Sequence, residues 1–279
     1  MPRIVSPECP VLPESIFFRS DALRLHSLRW RGNDGPDVVV VPGITTPAAS
    51  AGSFAWRLAG LPGVGDVYVL DTRGRGLSEK SPFGTHSSVD YAQDVLALVE
   101  HSDLSDPILI GHSMGARVAA QATVQFPGVA QALVAIDPPM SGPGRPPYPI
   151  PLDRMVDGVM AARRGEGRVA AATANPRWGA EQVAERGDWL GACDEVALVE
   201  AFAHFHLESF EPVWRNITVP TLLLFGDDSP VVSSETAASL RALHPGASVV
   251  SVSKSGHMVP MDNPEETVTR IEEFLSALA

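Results

Sequence analysis

The stretch Pro107-Ile108-Leu109-Ile110-Gly111-His112-Ser113-Met114-Gly115 joins a short apolar run to the pattern G-x-S-x-G. Residues 108–110 read as a strand, and residues 116–125 carry a helical pattern. A serine on such a sharp strand-to-helix turn stands exposed above a sheet. It also sits at a helix N-terminus, where backbone N–H groups favour developing negative charge. The two glycines let helix and strand approach closely, and the turn holds the serine in a strained conformation. G-x-S-x-G alone arises often by chance. Between a strand and a helix it makes Ser113 the candidate nucleophile.

Outward from this turn, apolar runs at 38–41, 67–70, 132–136, 221–225 and 248–252 alternate with helical patterns at 89–100, 234–243 and 264–278. Such near-continuous hydrophobic strands suit a parallel sheet buried on both faces by crossover helices. Residues 16–18 and 23–30 read as an antiparallel hairpin ahead of them. The rhythm breaks once. From 138 to about 219 there is no convincing strand, and the segment opens with Pro138-Pro139-Met140-Ser141-Gly142-Pro143-Gly144-Arg145-Pro146-Pro147. The expected organisation is a core of residues 1–137 and 219–279, with 138–218 inserted as a helical lid after the sixth strand. No internal repeat or heptad run is visible.

Composition narrows the function. The 279 residues carry 21 basic and 33 acidic side chains, a net charge of −12, and an acidic balance does not suit a phosphate-backbone binder. Cys9 and Cys193 are too few for a disulfide framework or a four-thiolate zinc site. No apolar run reaches the roughly 18 residues that span a bilayer. The first eight residues lack the apolar core of a signal peptide, so a cytoplasmic protein is expected. All basic residues except Lys80 and Lys254 are arginine. A GC-rich genome accounts for such a bias, and a bidentate grip on a carboxylate is its functional counterpart.

A serine hydroxyl needs a base. His257, in Ser255-Gly256-His257-Met258-Val259-Pro260, follows the last strand and precedes the terminal helix, which brings it to the strand ends near Ser113. His26, His86, His101 and His244 fall on exposed or edge patterns, and His112 reads as a packing residue. His204-Phe205-His206 lacks a third ligand, so no metal is expected, and His206 is kept as a residue facing the pocket.

The acid that orients His257 has two candidates. The strand at 221–225 leads into Gly226-Asp227-Asp228-Ser229-Pro230, where the residue directly before the proline is a serine. Asp137 ends the strand at 132–136, beside the strand of Ser113, and is preferred over Asp228. The oxyanion donors are expected from the N–H of Met114 and of Ile44, because Pro42 has no N–H and Gly43 lets the chain turn. Asp71-Thr72-Arg73-Gly74-Arg75-Gly76-Leu77-Ser78 contains G-x-G without a third glycine, so it shapes a loop and does not mark a dinucleotide site. No cofactor is implied.

On these residues the chain resembles the α/β-hydrolases, and the likeness covers nearly its whole length. Within them it is similar to the N-formylmaleamate deformylases and the related 2-(acetamidomethylene)succinate hydrolases. The likeness rests on Val41-Pro42-Gly43-Ile44-Thr45, on 68–78, on Gly111-His112-Ser113-Met114-Gly115-Ala116-Arg117 and on Gly256-His257-Met258-Val259-Pro260. Narrower than these is Asp137-Pro138-Pro139-Met140-Ser141-Gly142-Pro143-Gly144-Arg145. The resemblance implies an eight-stranded, mostly parallel sheet with flanking helices and a lid after the sixth strand. It also implies a triad acid on the earlier strand, and hydrolysis of an N-acyl amide of a small unsaturated acid. The chain departs from its relatives between Met155 and Arg177.

An anionic substrate needs a cation. Arg145 is the first choice, eight residues beyond Asp137. Gly43, Trp178, Trp189 and His206 complete the expected substrate contacts, with Arg177 and Arg186 weaker candidates and Arg117 a brace for the fold. A general carboxylesterase, a C–C bond hydrolase and a non-catalytic small-molecule receptor on the same frame are the competing readings.

Overall fold

Each apolar run forms a strand because both of its faces are covered. In the computed structural model, which describes residues 12–278, these strands make one eight-stranded sheet. Cys9 and the first eight residues lie outside that range. The strands are β1 (Glu14–Ser20), β2 (Leu23–Trp30), β3 (Val38–Val41), β4 (Val67–Asp71), β5 (Ile108–His112), β6 (Ala132–Ile136), β7 (Thr221–Gly226) and β8 (Ser248–Val252). Their spatial order is β1-β2-β4-β3-β5-β6-β7-β8. The first two pairings, β1 with β2 and β2 with β4, are antiparallel, and the rest are parallel.

The helices are α1 (Gly52–Ala59), α2 (Ser88–His101), α3 (Met114–Gln125), α4 (Leu152–Arg163), α5 (Gly167–Ala174), α6 (Ala180–Trp189), α7 (Glu195–Leu207), α8 (Glu211–Arg215), α9 (Ser234–Leu243), α10 (Val259–Asp262) and α11 (Pro264–Ser276). Five of them, α4 to α8, fall between β6 and β7, and no strand is found there among the described residues. Strand β3 shows why the sheet is hydrophobic throughout. Val39 and Val41 pack with Tyr91, Leu98 and Leu109 on one face, while Val38 and Val40 pack with Phe54, Leu58 and Ile271 on the other. Each such fully buried valine contributes roughly 1.5–3 kcal/mol of apolar burial.

Several strand ends run further than the apolar pattern suggests, that of β5 furthest into the motif. Strand β5 includes Gly111 and His112, which pair with Ala135 and Ile136 of β6. Helix α3 then starts at once, with Met114. This abrupt junction requires both motif glycines. A Cβ on Gly115 would meet the Val41 carbonyl oxygen at 1.8 Å, and one on Gly111 would meet the Gly115 carbonyl oxygen at 2.1 Å.

Two histidines expected on exposed or edge patterns are buried instead. His26 lies on β2 between two paired strands, where its Nδ1 meets Asp71 Oδ2 at 2.7 Å. His86 precedes α2 and meets Glu200 of α7, and burial pushes its imidazole below the ordinary value. In both cases a carboxylate from a distant part of the chain makes burial of the ring tolerable.

Candidate active site

Ser113 occupies the tip of the turn between β5 and α3 with φ +55°, a conformation that L residues rarely adopt. Its N–H donates to the Ile136 carbonyl at 2.8 Å, so the strained turn is held by the neighbouring strand. Its Oγ lies 2.9 Å from His257 Nε2. His257 is delivered by the loop between β8 and α10, and its Nδ1 lies 2.7 Å from Asp137 Oδ2. Asp137 follows β6 with φ +48° and is fully buried. Burial pushes its carboxyl upward, opposed by hydrogen bonds from His257, Ser229 and Gly226. The chain Ser113–His257–Asp137 is thus hydrogen-bonded end to end. Such a chain can transfer a proton from a serine hydroxyl to an imidazole held in one tautomer.

Asp228 does not take part. Its side chain is 67% exposed and lies 3.6 Å from Arg177. Asp227 accepts the N–H of Ser255, and Ser229 turns inward to donate to Asp137 Oδ2 at 2.6 Å. His112 does more than pack. Its Nε2–H donates to the His257 carbonyl at 2.8 Å, and burial pushes its imidazole down to about 3, so the ring is neutral.

A cavity of about 450 Å³ opens over Ser113 and His257. Gly43 and Ile44 line it, and a Cβ on Gly43 would lie 3.4 Å from Ser113 Cβ. Met114 opens α3, so its N–H has no partner within the helix. Two arginines hold the facing loop. Arg75 Nε donates to the Ile44 carbonyl at 3.1 Å, and Arg186 donates to the Thr45 carbonyl and to the hydroxyls of Thr45 and Thr46. Among the described residues no cluster of three or more His, Cys, Asp or Glu is arranged to hold a metal.

The family model described as the alpha/beta hydrolase family matches residues 38–270. The chain belongs to the alpha/beta hydrolase family. It is 37% identical to an N-formylmaleamate deformylase of Pseudomonas putida, over 92% of this chain and 94% of that one. It is 28% identical to a 2-(acetamidomethylene)succinate hydrolase of Mesorhizobium japonicum, over 90% of this chain and 91% of that one. A crystal structure of an N-formylmaleamic acid deformylase from Pseudomonas putida S16 superposes with a TM-score of 0.85 and 32% identity, covering 92% of this chain and all of that one.

In this alpha/beta hydrolase the expected substrate contacts divide. Trp178 lines the cavity, and its Nε1–H donates to Asp262 Oδ1 at 2.7 Å. Arg145 does not reach it. The proline-rich loop carries this side chain outward to pair with Glu211 at the start of α8, and it remains 46% exposed beside a separate hollow. Trp189 is also outside the cavity, buried in the same core cluster as Phe54 and Ala48. His206 lies behind the wall, where its Nε2 accepts the Tyr148 N–H at 3.2 Å and its Nδ1–H donates to the Phe202 carbonyl. Arg117 bridges α3 to the carbonyls of Pro139, Ser141, Phe205 and Glu208.

Among the cavity residues that motif reading does not single out are Arg154, Tyr148 and Asp262. Tyr148 sits in Pro146-Pro147-Tyr148-Pro149, a stretch with no periodicity to orient it. Arg186, a weaker candidate by sequence, lines the cavity with no carboxylate among its described partners. Burial lowers its basicity. Ser229 had one available signal, the absence of an acid directly before Pro230.

Proposed function

We propose that the protein is a serine hydrolase that cleaves the N-acyl, formamide-type amide bond of a small unsaturated carboxylic acid, as an N-formylmaleamate deformylase does, and releases formate. Ser113 attacks the acyl carbon while His257 takes its proton, and Asp137 stabilises the imidazolium that forms. The oxyanion is received by the N–H groups of Ile44 and Met114, each worth roughly 2.7–4 kcal/mol by analogy with other such donors. His257 then protonates the leaving nitrogen, and water releases the acyl group from Ser113. Residues 138–218 act as the lid that closes this chemistry off from solvent.

The observation that carries the reading is the charge of the cavity wall. Arg154, Arg177 and Arg186 line it against one lining acid, Asp262, which already accepts from Trp178 and from the Gly256 N–H, while Arg177 also pairs with Asp228 beyond the wall and leaves Arg154 and Arg186 as the excess. In a chain of net charge −12, that local excess suits a carboxylate-bearing substrate. The likeness to the deformylase supports the acyl group. Purified protein incubated with N-formylmaleamate is expected to release formate stoichiometrically. Absence of formate, with rapid hydrolysis of uncharged aryl esters, overturns the reading in favour of a general esterase.

A further inference from the structure

Tyr148 lies on the loop between β6 and α4, buried, with its hydroxyl 3.0 Å from His257 Nε2. The ring is clamped by Phe205, with centroids 5.2 Å apart, and by the edge of Phe202 at 6.1 Å. Its backbone N–H is held by His206. The phenol is therefore aimed at the catalytic pair from a fixed direction, and nothing in the mechanism above uses it.

The leaving atom of an acyl substrate must come within hydrogen-bond reach of His257 Nε2 to receive its proton. Tyr148 Oη is already within that reach of the same nitrogen, so the hydroxyl flanks the approach by which a leaving atom comes to Nε2. We infer that Tyr148 is a further catalytic residue, whose O–H donates a hydrogen bond to the leaving atom as its bond to the acyl carbon breaks. The inference rests on the acyl-transfer reading above.

The step balances without any added reagent. Ser113 Oγ bonds to the acyl carbon, its proton passes to His257 Nε2, and the carbonyl π pair moves to oxygen. That pair returns as the bond to the leaving atom breaks, and the leaving atom takes the proton from Nε2. Tyr148 keeps its own proton, since burial holds its phenol above the ordinary range. It stabilises the electron pair that grows on the leaving atom, so its value rises with the basicity of that atom.

The test is a series of acetate esters running from p-nitrophenyl through phenyl and trifluoroethyl to ethyl. For Tyr148→Phe the loss of kcat/KM is expected to grow along the series, from about twofold to about thirtyfold. An equal loss at every leaving group, or no loss at ethyl acetate, overturns the inference. 3-Fluorotyrosine at this position, a stronger donor in the same ring, is expected to flatten the dependence on leaving-group basicity. An unchanged dependence there overturns the inference even if Tyr148→Phe folds poorly. The esters contain no amide and no carboxylate, so failure of the deformylase reading leaves this result interpretable.

Discussion

Ser229 Oγ donates to Asp137 Oδ2 at 2.6 Å, and the same hydroxyl accepts the Val231 N–H at 3.0 Å. The residue directly before Pro230 thus supports an acid on the neighbouring strand instead of being that acid. Asp137→Asn is expected to lower kcat by about 10³–10⁴-fold through the wrong imidazole tautomer, while Asp228→Asn changes it by less than about twofold. Ser229→Ala, which removes one hydrogen bond to the buried carboxylate, is expected to cost about tenfold. Steady-state rates on one substrate check all three.

Arg186 and Arg145 separate by the same kind of measurement. For Arg186→Gln, the ratio of kcat/KM on an anionic amide to that on a neutral ester is expected to fall about 10- to 100-fold. Taking the ratio removes the shared effect of losing the contacts to Thr45. Arg145→Ala, a half-exposed partner of Glu211, is expected to leave the ratio within about twofold.

His112 makes stability depend on pH in a defined direction. Its folded-state value, about 3, lies below the ordinary 6.5, so the unfolded chain binds the proton first. The stability it contributes is present above about pH 6.5 and is lost as pH falls toward 3. The upper limit is about 1.4 kcal/mol per pH unit in that window. Urea melts at pH 7, 6 and 5 should show a shallower decline for His112→Asn than for the natural chain. The raised carboxyl of Asp137 acts with the opposite sign, but it is present in both proteins and drops out of the difference.

Trp178 joins the helical segment to the loop that carries His257, through Asp262, whose other oxygen accepts the Gly256 N–H at 2.8 Å. Trp178→Phe keeps an aromatic ring and removes the donor. Amide hydrogen exchange across residues 175–190 is expected to speed up about tenfold, with exchange in β5 and β6 unchanged.

The frame is legible because strands covered on both faces must be apolar along their whole length, as the four valines of β3 are. Boundaries slip where the chain pairs without apolar side chains, as at Gly111 and His112. Ser113 and His257 are readable because their chemistry is tied to short local patterns at strand ends. Asp137 follows from the strand it terminates and from a serine standing before Pro230. The substrate wall is different. Where Arg145, Trp189 and Arg186 point depends on how α6 and α8 settle on the core, which no short window encodes. Tyr148 is hidden for the same reason, since it stands among Pro146, Pro147 and Pro149 and a histidine 58 residues away holds its backbone N–H.

Ser113 and Asp137 each follow one member of a cross-strand pair, His112 and Ile136, and each turns there with nearly the same positive φ. The spacing between hydroxyl and carboxylate is therefore set by the last rung of one backbone ladder, in the middle of the sheet. Warming that loosens the surrounding loops leaves this spacing intact until the ladder itself opens. Loosening of the loop that carries His257 should accordingly lower Ser113 reactivity toward a phosphonate probe before the sheet melts cooperatively, with full recovery on cooling.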